Sequence, residues 1–272
     1  MSSTTTTIPP PSSLIRLAIL EADTPPAGTH ARYNGYRGVF THLFTRALAS
    51  PSQEPLSSYL TITAHDVVNI SPSDPYANYP FLSEIDAILI TGSKHSAFEN
   101  DPWILTLTEF VKKAITKGDA ENGGRTIKVI GVCFGHQIVG RALGQTVERN
   151  ERGWEISVTR VGLTEAGRGI FKGREDLKIQ QMHRDHVVGV PEGAQLLAST
   201  DVCENQGFII PGKVLTVQGH PEFTVDIMEE LLESRRAIGL FNDELFGSGV
   251  ERNKVDDGLF IAQAFYRFLL QD

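Results

Sequence analysis

The sequence predicts an α/β fold: a mostly parallel central sheet with helices on both faces and extra short β segments in the middle of the chain. Short apolar runs such as 14–20 and 127–132 are typical of strands buried on both faces. Segments with helical periodicity separate these runs, as in chains whose parallel strands are joined by helices. The stretch from about 145 to 217 instead holds short β-like runs divided by loops and glycines.

Up to residue 144, strands and helices alternate. We expect strands at 14–20, 59–65, 86–91 and 127–132, and helices at about 39–48, 102–117 and 138–143. Asp101 is the expected N-cap of the second of these helices, with Pro102 at its first position and Gly118 closing it. Residues 24–34 and 71–80 are expected to be loops because they are rich in Pro with Gly or Asp.

The rest of the chain adds shorter elements. We expect β-like runs at 155–161, 178–182, 195–198 and 214–217, and helices at 224–237 and 259–270. The Ser/Thr/Pro composition of residues 1–13 indicates a disordered tail. No long linker divides residues 14–272, so we expect a single domain with a core at about 14–238 and a C-terminal helical extension at 239–272.

Composition and charge exclude several classes of protein. The 272 residues carry a formal net charge of −8, whereas general nucleic-acid or anionic-membrane binders present a basic surface. The two cysteines, Cys133 and Cys203, give no disulfide framework and fit a reducing compartment. No apolar run approaches the roughly 18 residues of a membrane span, and the N-terminus resembles no secretory signal. We therefore expect a soluble, cytoplasmic protein without nucleic-acid or membrane partners.

The segment GVCFGHQ, residues 131–137, is the clearest candidate for chemistry. Cys133 stands between an expected strand and an expected helix, with Gly131 and Gly135 two residues away on either side. Flanking glycines permit the tight, strained turn of a nucleophile elbow. The following helix directs its N-terminus at the sulfur, which favours the thiolate. A small buried side chain in a strand-to-helix turn is the alternative.

The segment GHPE, residues 219–222, supplies a candidate base directly after an expected strand. Residues two apart in extended backbone point to the same side, so His220 and Glu222 can lie in line. Pro221 biases His220 toward an extended conformation. Alone, this tetrapeptide is better explained as a strand-end histidine beside a surface glutamate. Together with an elbow cysteine, it indicates a nucleophile, a base and an orienting carboxylate.

GVCFGHQ and GHPEF resemble the motifs of the class I glutamine amidotransferase family, in the stand-alone branch similar to the amidotransferase domain of GMP synthetase. The resemblance covers about residues 14–238 and implies a flavodoxin-like fold. It implies that Cys133 is the nucleophile, His220 the general base and acid, and Glu222 the orienting carboxylate. The implied reaction cleaves the γ-amide of glutamine or a γ-glutamyl compound through a thioester, with no cofactor.

The same resemblance implies an oxyanion hole formed by backbone N–H groups of the Gly92 region and of Phe134. In the family, a TGG-type loop ends the corresponding strand. This chain departs from the usual G-G-P, because it has Ser93 and Lys94 after Gly92.

Three further residues are implied to bind substrate. Gln137 matches the family glutamine that helps hold the amino-acid end of the substrate. The segment MHRD, residues 182–185, resembles the S-H-G-D segment that lines the glutamine pocket, which assigns His183 and Asp185. Asp185 suits an α-ammonium group, and Arg184 is a departure that bears on specificity. A solvated loop is the alternative for His183 and Asp185.

Other motifs are not expected to carry function. Residues 207–214 nearly match a phosphate loop, but Val214 replaces the Ser or Thr that binds magnesium, so a turn between two strands is expected. His183 and His186 form an H-x-x-H without an accompanying Cys, His or carboxylate cluster, so no metal site is expected. Cys203 lacks a motif and is expected to pack as a small buried residue.

The acceptor of the nitrogen remains open at the level of sequence. A separate synthetase partner takes the ammonia, or the chain is a plain hydrolase of its small-molecule substrate. Stand-alone members of this branch include γ-glutamyl peptidases that act on glutathione-like conjugates, which is the enzymatic alternative. A catalytically idle regulatory or scaffold protein on the same fold is the alternative of another class.

Overall fold

The secondary structure follows from a computed structural model that describes residues 9–49 and 54–271. Within these residues the strands are β1 (Ile15–Glu21), β2 (Leu60–Asp66), β3 (Ala87–Ile90), β4 (Lys128–Val132), β5 (Thr146–Arg149), β6 (Glu155–Leu163), β7 (Asp176–His183), β8 (Asp185–Val188), β9 (Gln195–Leu196), β10 (Ala198–Ser199), β11 (Phe208–Ile210) and β12 (Val214–Val217). The helices are α1 (Ala27–Tyr33), α2 (Tyr36–Ala47), α3 (Pro102–Glu121), α4 (Phe134–Ala142), α5 (Glu165–Ile170), α6 (Val225–Ala237), α7 (Asp243–Arg252) and α8 (Gly258–Leu270).

A central sheet organises the chain, with the strand order β2-β1-β3-β4-β12-β11-β9. The strands from β2 to β12 in this order pair in parallel. Strands β11 and β9 add an antiparallel edge. The predicted mostly parallel sheet is therefore confirmed.

Both faces of this sheet are buried, which explains the apolar runs in the sequence. Along β1, Leu17 and Ile19 contribute to a core cluster with residues of α2 and α8. Ala18 and Leu20 belong to the opposite cluster, with residues of α3 and α4. Because alternate side chains are buried on opposite faces, the strand contains no polar alternation.

The middle of the chain forms smaller sheets, as its short β-like runs predicted. Strands β6 and β7 pair antiparallel, β10 extends them, and β5 pairs with β8. Strand β7 ends at His183 and β8 begins at Asp185, so two predicted site residues lie at the junction of these strands. The backbone N–H of His220 donates to Gln180 O of β7 at 2.8 Å and thereby connects this region to the central sheet.

The predicted loop at 24–34 is wrong over most of its length, because Ala27–Tyr33 forms α1. The backbone N–H groups of Gly28 and Thr29 donate to the Glu230 carboxylate of α6 at 2.6 and 2.8 Å. A carboxylate from a distant helix thus caps the start of α1. The local sequence carries no sign of this contact.

The predicted end of a helix at Gly118 is also wrong, because α3 continues to Glu121. A Cβ at Gly118 would lie 3.0 Å from Ile127 Cδ1, so this glycine permits close packing rather than ending the helix. At the other end, Asp101 precedes Pro102 as predicted, but the Asp101 side chain makes no capping hydrogen bond.

The C-terminal region adds two helices. Helix α8 confirms the predicted last helix, whereas α7 was not predicted. Tyr266 of α8 packs edge-on against Phe44 of α2, with ring centroids 5.2 Å apart. Residues 1–8 of the predicted tail lie outside the described residues, and the division into a tail and one domain stays a prediction. No helix in the described ranges is long and apolar enough to cross a bilayer.

Candidate active site

Strands β4 and β12 place the predicted catalytic residues side by side. They are parallel neighbours, and Val132 pairs with Val217 at their carboxyl ends. Cys133 follows β4 directly, and its backbone N–H donates to Val217 O at 3.0 Å. His220 follows β12 after two residues. Both residues thus lie at the carboxyl edge of the sheet, where open α/β sheets bind ligands.

Cys133 occupies a strained turn between β4 and α4. Its φ of 52° and ψ of −104° are values that residues with side chains rarely adopt. A Cβ on Gly131 would lie 2.7 Å from Gly135 O, and a Cβ on Gly135 would lie 2.3 Å from Ile90 O. Both flanking positions therefore require glycine, which confirms the predicted nucleophile-elbow geometry.

His220 is held by three different contacts. Its Nδ1 lies 2.8 Å from Glu222 Oε1, and both side chains are buried. The Phe223 ring stacks on the imidazole, with centroids 3.9 Å apart and planes inclined by 5°. The backbone N–H is bound by Gln180, as described above. Because Nδ1 is engaged by the carboxylate, Nε2 is the nitrogen left to exchange a proton.

Electrostatics favour a charged imidazole at this position. Burial lowers the pKa of His220, but the Glu222 carboxylate and the hydrogen-bonded Cys133 sulfur together raise this pKa to about 10. A positive charge on His220 stabilises a thiolate on Cys133. An imidazole that keeps its proton therefore lies next to the thiol, as a general acid must.

The loop after β3 lies against the imidazole. A Cβ on Gly92 would lie 2.6 Å from His220 Cε1, so only glycine permits this contact. The backbone N–H groups of Gly92, Ser93 and Phe134 donate no hydrogen bond within the described residues. Backbone N–H groups that are free to donate beside a nucleophile can form an oxyanion hole.

A cavity of about 360 Å³ opens beside Cys133. Its lining consists of Ser93, Lys94, His95, Ser96, Cys133, Phe134, Gln137, Arg149, Trp154, Met182, His183, Arg184, Asp185, Arg235, Ile238 and Leu240. This lining contains four Lys or Arg side chains and one carboxylate, although the whole chain is acidic. The cavity is therefore suited to a substrate with more acidic than basic groups.

Comparison with known proteins assigns the family. The model of "Glutamine amidotransferase class-I" matches residues 65–237, which include the elbow cysteine and the His-Pro-Glu segment. The chain belongs to the class-I glutamine amidotransferase family.

Individual relatives agree with this assignment. A glutamine amidotransferase-like protein of Schizosaccharomyces pombe is 38% identical over 256 residues, covering 94% of this chain and 98% of that protein. Gamma-glutamyl peptidase 4 of Arabidopsis thaliana is 32% identical over 183 residues, covering 64% of this chain and 70% of that protein. The crystal structure of a glutamine amidotransferase from Thermotoga maritima has a TM-score of 0.67 at 18% identity, covering 95% of this chain and 99% of that one. The last comparison shows the shared fold.

The predicted substrate-binding residues Gln137, His183 and Asp185 all line the cavity. Gln137 Nε2 donates to Asp185 O at 2.9 Å and to Gln218 Oε1 at 3.1 Å. His183 Nδ1 also lies 3.1 Å from Asp185 O. The Asp185 carboxylate lies 3.6 Å from Arg149 Nε. Gln137 and His183 thus fix the backbone of Asp185, whose carboxylate lies beside Arg149, another residue of the cavity lining.

A second group of Cys, His and Glu side chains lies behind this wall, and we call Glu155, His183 and Cys203 the wall cluster. Their potential ligand atoms lie within 4.8 Å of one another, and all three residues are buried. His183 Nε2 lies 3.0 Å from Glu155 Oε2. The sequence-based expectation that no such cluster accompanies His183 is wrong, because folding brings β6 and the segment after β10 to the end of β7.

The wall cluster has donor types that can bind zinc, but hydrogen bonds already engage its members. Glu155 accepts from Thr200 Oγ1 at 2.8 Å and from Gln206 Nε2 at 2.6 Å, and Cys203 Sγ donates to Asn205 O at 3.3 Å. Burial, reinforced by the charge of Glu155, raises the pKa of Cys203 to about 12. The Cys203 thiol therefore keeps its proton. That no metal takes part stays a prediction.

The remaining motifs behave differently from one another. His186 lies apart from the wall cluster, with Nε2 3.9 Å from Glu148 Oε1. Within the segment 207–214, residues 211–213 form the predicted turn between two strands, here the antiparallel β11 and β12. Cys203 is fully buried, which confirms its predicted packing.

Several residues near the cavity were missed by the sequence analysis. Arg149 comes from β5 and Arg235 from α6, and Asp23 binds Lys94 in the loop after β3. A solvated arginine on a strand or helix has the same local pattern as these two, so their sequence context contained no usable signal.

Proposed function

We propose that the chain cleaves the γ-amide of glutamine, or the γ-glutamyl bond of a related compound, by thiol acyl transfer. Cys133 is the nucleophile, His220 the general base and acid, and Glu222 the carboxylate that orients the histidine. The observation that carries the proposal is the strained Cys133 turn directly beside the buried His220–Glu222 pair. The family of the chain supports the same chemistry.

The first half of the reaction forms a thioester. The Cys133 thiolate attacks the γ-carbonyl carbon, a C–S bond forms, and the carbonyl electron pair moves to oxygen. The N–H groups of the Gly92 region and of Phe134 stabilise this oxyanion. When the oxyanion collapses, the C–N bond breaks and His220 Nε2 gives its proton to the leaving nitrogen.

The second half returns the enzyme to its starting state. His220 removes a proton from water, and the resulting hydroxide attacks the thioester carbon. The C–S bond breaks, glutamate leaves, and the Cys133 sulfur remains as a thiolate next to protonated His220. No cofactor is needed for any of these steps.

The amino-acid end of the substrate is proposed to bind at Asp185. The Asp185 carboxylate pairs with the α-ammonium group of the glutamyl moiety. Gln137 and His183 contribute by holding the Asp185 backbone carbonyl, a contact that each of them makes.

A γ-glutamyl peptide is the second candidate substrate, and the charge of the cavity favours it. Glutamine brings one carboxylate, whereas two of the four cations of the lining, Arg184 and Arg235, remain after Lys94 pairs with Asp23 and Arg149 with Asp185. Arg184 Nε is buried without a hydrogen-bond partner, and Arg235 makes no ion pair within the described ranges. A second acid group on the leaving side of the substrate pairs with such cations. The Arabidopsis relative named above is a γ-glutamyl peptidase by name.

The two substrates imply different surroundings. With glutamine, we expect a separate synthetase to consume the released ammonia. With a γ-glutamyl peptide, the chain acts as a hydrolase that needs no partner. In either case we expect the reaction in the cytoplasm, where a catalytic thiol stays reduced.

Product analysis with purified protein tests the proposal. L-glutamine and several γ-glutamyl peptides are offered to the wild-type chain and to Cys133→Ala. Ammonia from glutamine, lost in the variant, supports the amidotransferase reaction, and preferential release of amine or peptide supports the hydrolase. Absence of both products, also in the presence of cell extract that supplies a synthetase partner, contradicts the proposal and favours an idle fold.

A further inference from the structure

Asp23, just beyond β1, binds the loop that follows β3. Its Oδ2 accepts a hydrogen bond from the Lys94 backbone N–H at 2.9 Å. Its Oδ1 accepts from Lys94 Nζ at 2.6 Å and from the Thr24 backbone N–H at 2.8 Å. The Asp23 side chain is only 8% exposed. A nearly buried carboxylate is therefore committed to one residue of the neighbouring loop.

The same loop is fixed at its other end. The backbone N–H of Ala22 donates to Thr91 Oγ1 at 3.0 Å, and the Thr91 N–H donates to Leu20 O at 3.2 Å. Gly92 and Ser93, whose N–H groups are free, lie between these two anchors. Since Gly92 also contacts His220, a shift of the loop changes the position of its donors relative to the reacting group.

The covalent geometry of Lys94 does not by itself fix this end of the loop, because its φ is not restricted by a ring. The contact of its backbone N–H with the Asp23 carboxylate fixes that end instead. We propose that Asp23 is a positioning residue that holds the Gly92 and Ser93 N–H groups where the oxyanion develops. The inference rests on the thiol acyl transfer proposed above.

The proposal predicts a specific kinetic signature. Negative charge appears on the carbonyl oxygen only in the transition state, so misplaced donors lower kcat while KM changes little. Displacements of about 1 Å cost on the order of 10²-fold in rate. Alkylation of the thiol by iodoacetamide forms no oxyanion, so the alkylation rate of Cys133 is independent of these donors.

Three variants test the inference in the full chain, with the preferred substrate found by product analysis. Asp23→Ala removes the carboxylate, and we expect kcat to fall 10- to 100-fold, a range set by donor misplacement, with KM within about threefold. Asp23→Asn keeps an oxygen that can accept from the Lys94 N–H, and it is expected to retain most of kcat. Asp66→Ala is the matched control, because Asp66 binds the backbone N–H groups of Val68 and Asn69 at the end of β2, away from the cavity. Its kcat is expected to equal that of the wild type.

The rate at which iodoacetamide alkylates Cys133 completes the test. The alkylation rate of Cys133 in Asp23→Ala is expected to equal the wild-type rate, since His220 remains held by Glu222. The inference is overturned if kcat is unchanged in Asp23→Ala, or if kcat and alkylation fall in parallel, because a parallel fall places the defect in the thiolate. A wild-type chain that hydrolyses no γ-glutamyl substrate contradicts the proposed function instead, so the two failures are distinguishable.

Discussion

The described residues contain two buried groups of the same three residue types. Cys133, His220 and Glu222 meet at the carboxyl edge of the central sheet, where the sulfur lines the cavity. In the wall cluster only His183 lines the cavity, whereas Glu155 and Cys203 lie behind it. The residue types are equal, but only the first group has a thiol that a substrate can reach.

The pKa shifts in the two groups also favour a reactive thiol only in the first. Beside Cys133, His220 keeps its proton to higher pH: burial lowers the pKa of this histidine, but Glu222 and the Cys133 sulfur raise it by more. In the wall cluster, burial raises the pKa of the Cys203 thiol itself. Reactivity therefore depends on backbone placement: a strained turn at the end of a strand produces a nucleophile, whereas a hydrogen-bonded loop produces a packed wall.

Removing each sulfur should give the largest contrast. We expect Cys133→Ala to lower kcat by about 10⁴-fold or more, since loss of a catalytic nucleophile leaves only binding and oxyanion stabilisation. Cys203→Ala should stay within about threefold of the wild-type kcat, because this side chain only packs. Turnover of the preferred substrate measures both effects. A folded Cys203→Ala protein without activity would show that the comparison is wrong.

Neutralising each carboxylate separates catalysis from stability. Glu222→Gln keeps the shape of the side chain but removes the negative charge that orients His220 and raises its pKa. We expect kcat to fall about 10²- to 10⁴-fold. Glu155→Gln weakens the buried contacts of this side chain with His183, Thr200 and Gln206, and we expect the unfolding free energy to drop by about 1 to 3 kcal/mol with a smaller loss of kcat. Steady-state kinetics and urea unfolding of both variants check this. Equal losses of kcat would place both carboxylates in one role.

The pH dependence of kcat/KM reports the charge on His220. Burial lowers the pKa of this histidine, but Glu222 and Cys133 raise it to about 10, so the proton that the leaving group requires is present at neutral pH and lost near pH 10. Glu222→Gln removes a raising charge, so the alkaline limb should move to lower pH. Glu155→Gln is the control and should leave the limb in place. An alkaline limb that is identical in wild type and Glu222→Gln would contradict the assignment.

The smallest expected effect is on stability at high pH. Burial and Glu155 raise the pKa of Cys203 to about 12, so the folded chain keeps this proton after the unfolded chain has lost it. Stability from this group is therefore complete below the ordinary thiol pKa of about 8.5 and is lost as pH rises toward 12, by up to about 1.4 kcal/mol per pH unit. Cys203→Ala should flatten the decline between pH 9 and 10.5 in urea unfolding. An unchanged slope would mean that Cys203 titrates normally.

Much of the fold and the first group could be predicted because the signals are local. Apolar runs identified β1, β3 and β4. The two glycines around Cys133 identified the turn, because residues without a side chain are needed on both sides of it. The His220–Glu222 pair needs only a separation of two residues. Local chemistry of this kind is visible without any knowledge of distant contacts.

The parts that were missed depend on residues far apart in the chain. Helix α1 is capped by Glu230, and the Lys94 loop is held by Asp23, at separations that no local pattern records. The wall cluster likewise joins Glu155 and Cys203 through the pairing of smaller sheets. Gly118 was misread because glycine serves both helix ends and close packing, and only the neighbouring Ile127 distinguishes them.

Labelling with an electrophilic glutamine analogue, followed by peptide mapping, tests the central claim most directly, because it asks which of the two cysteines meets the substrate. The account predicts one adduct per chain on Cys133, none on Cys203, and protection by the preferred γ-glutamyl substrate. An adduct on Cys203, or labelling of Cys133 that the substrate does not slow, would contradict it.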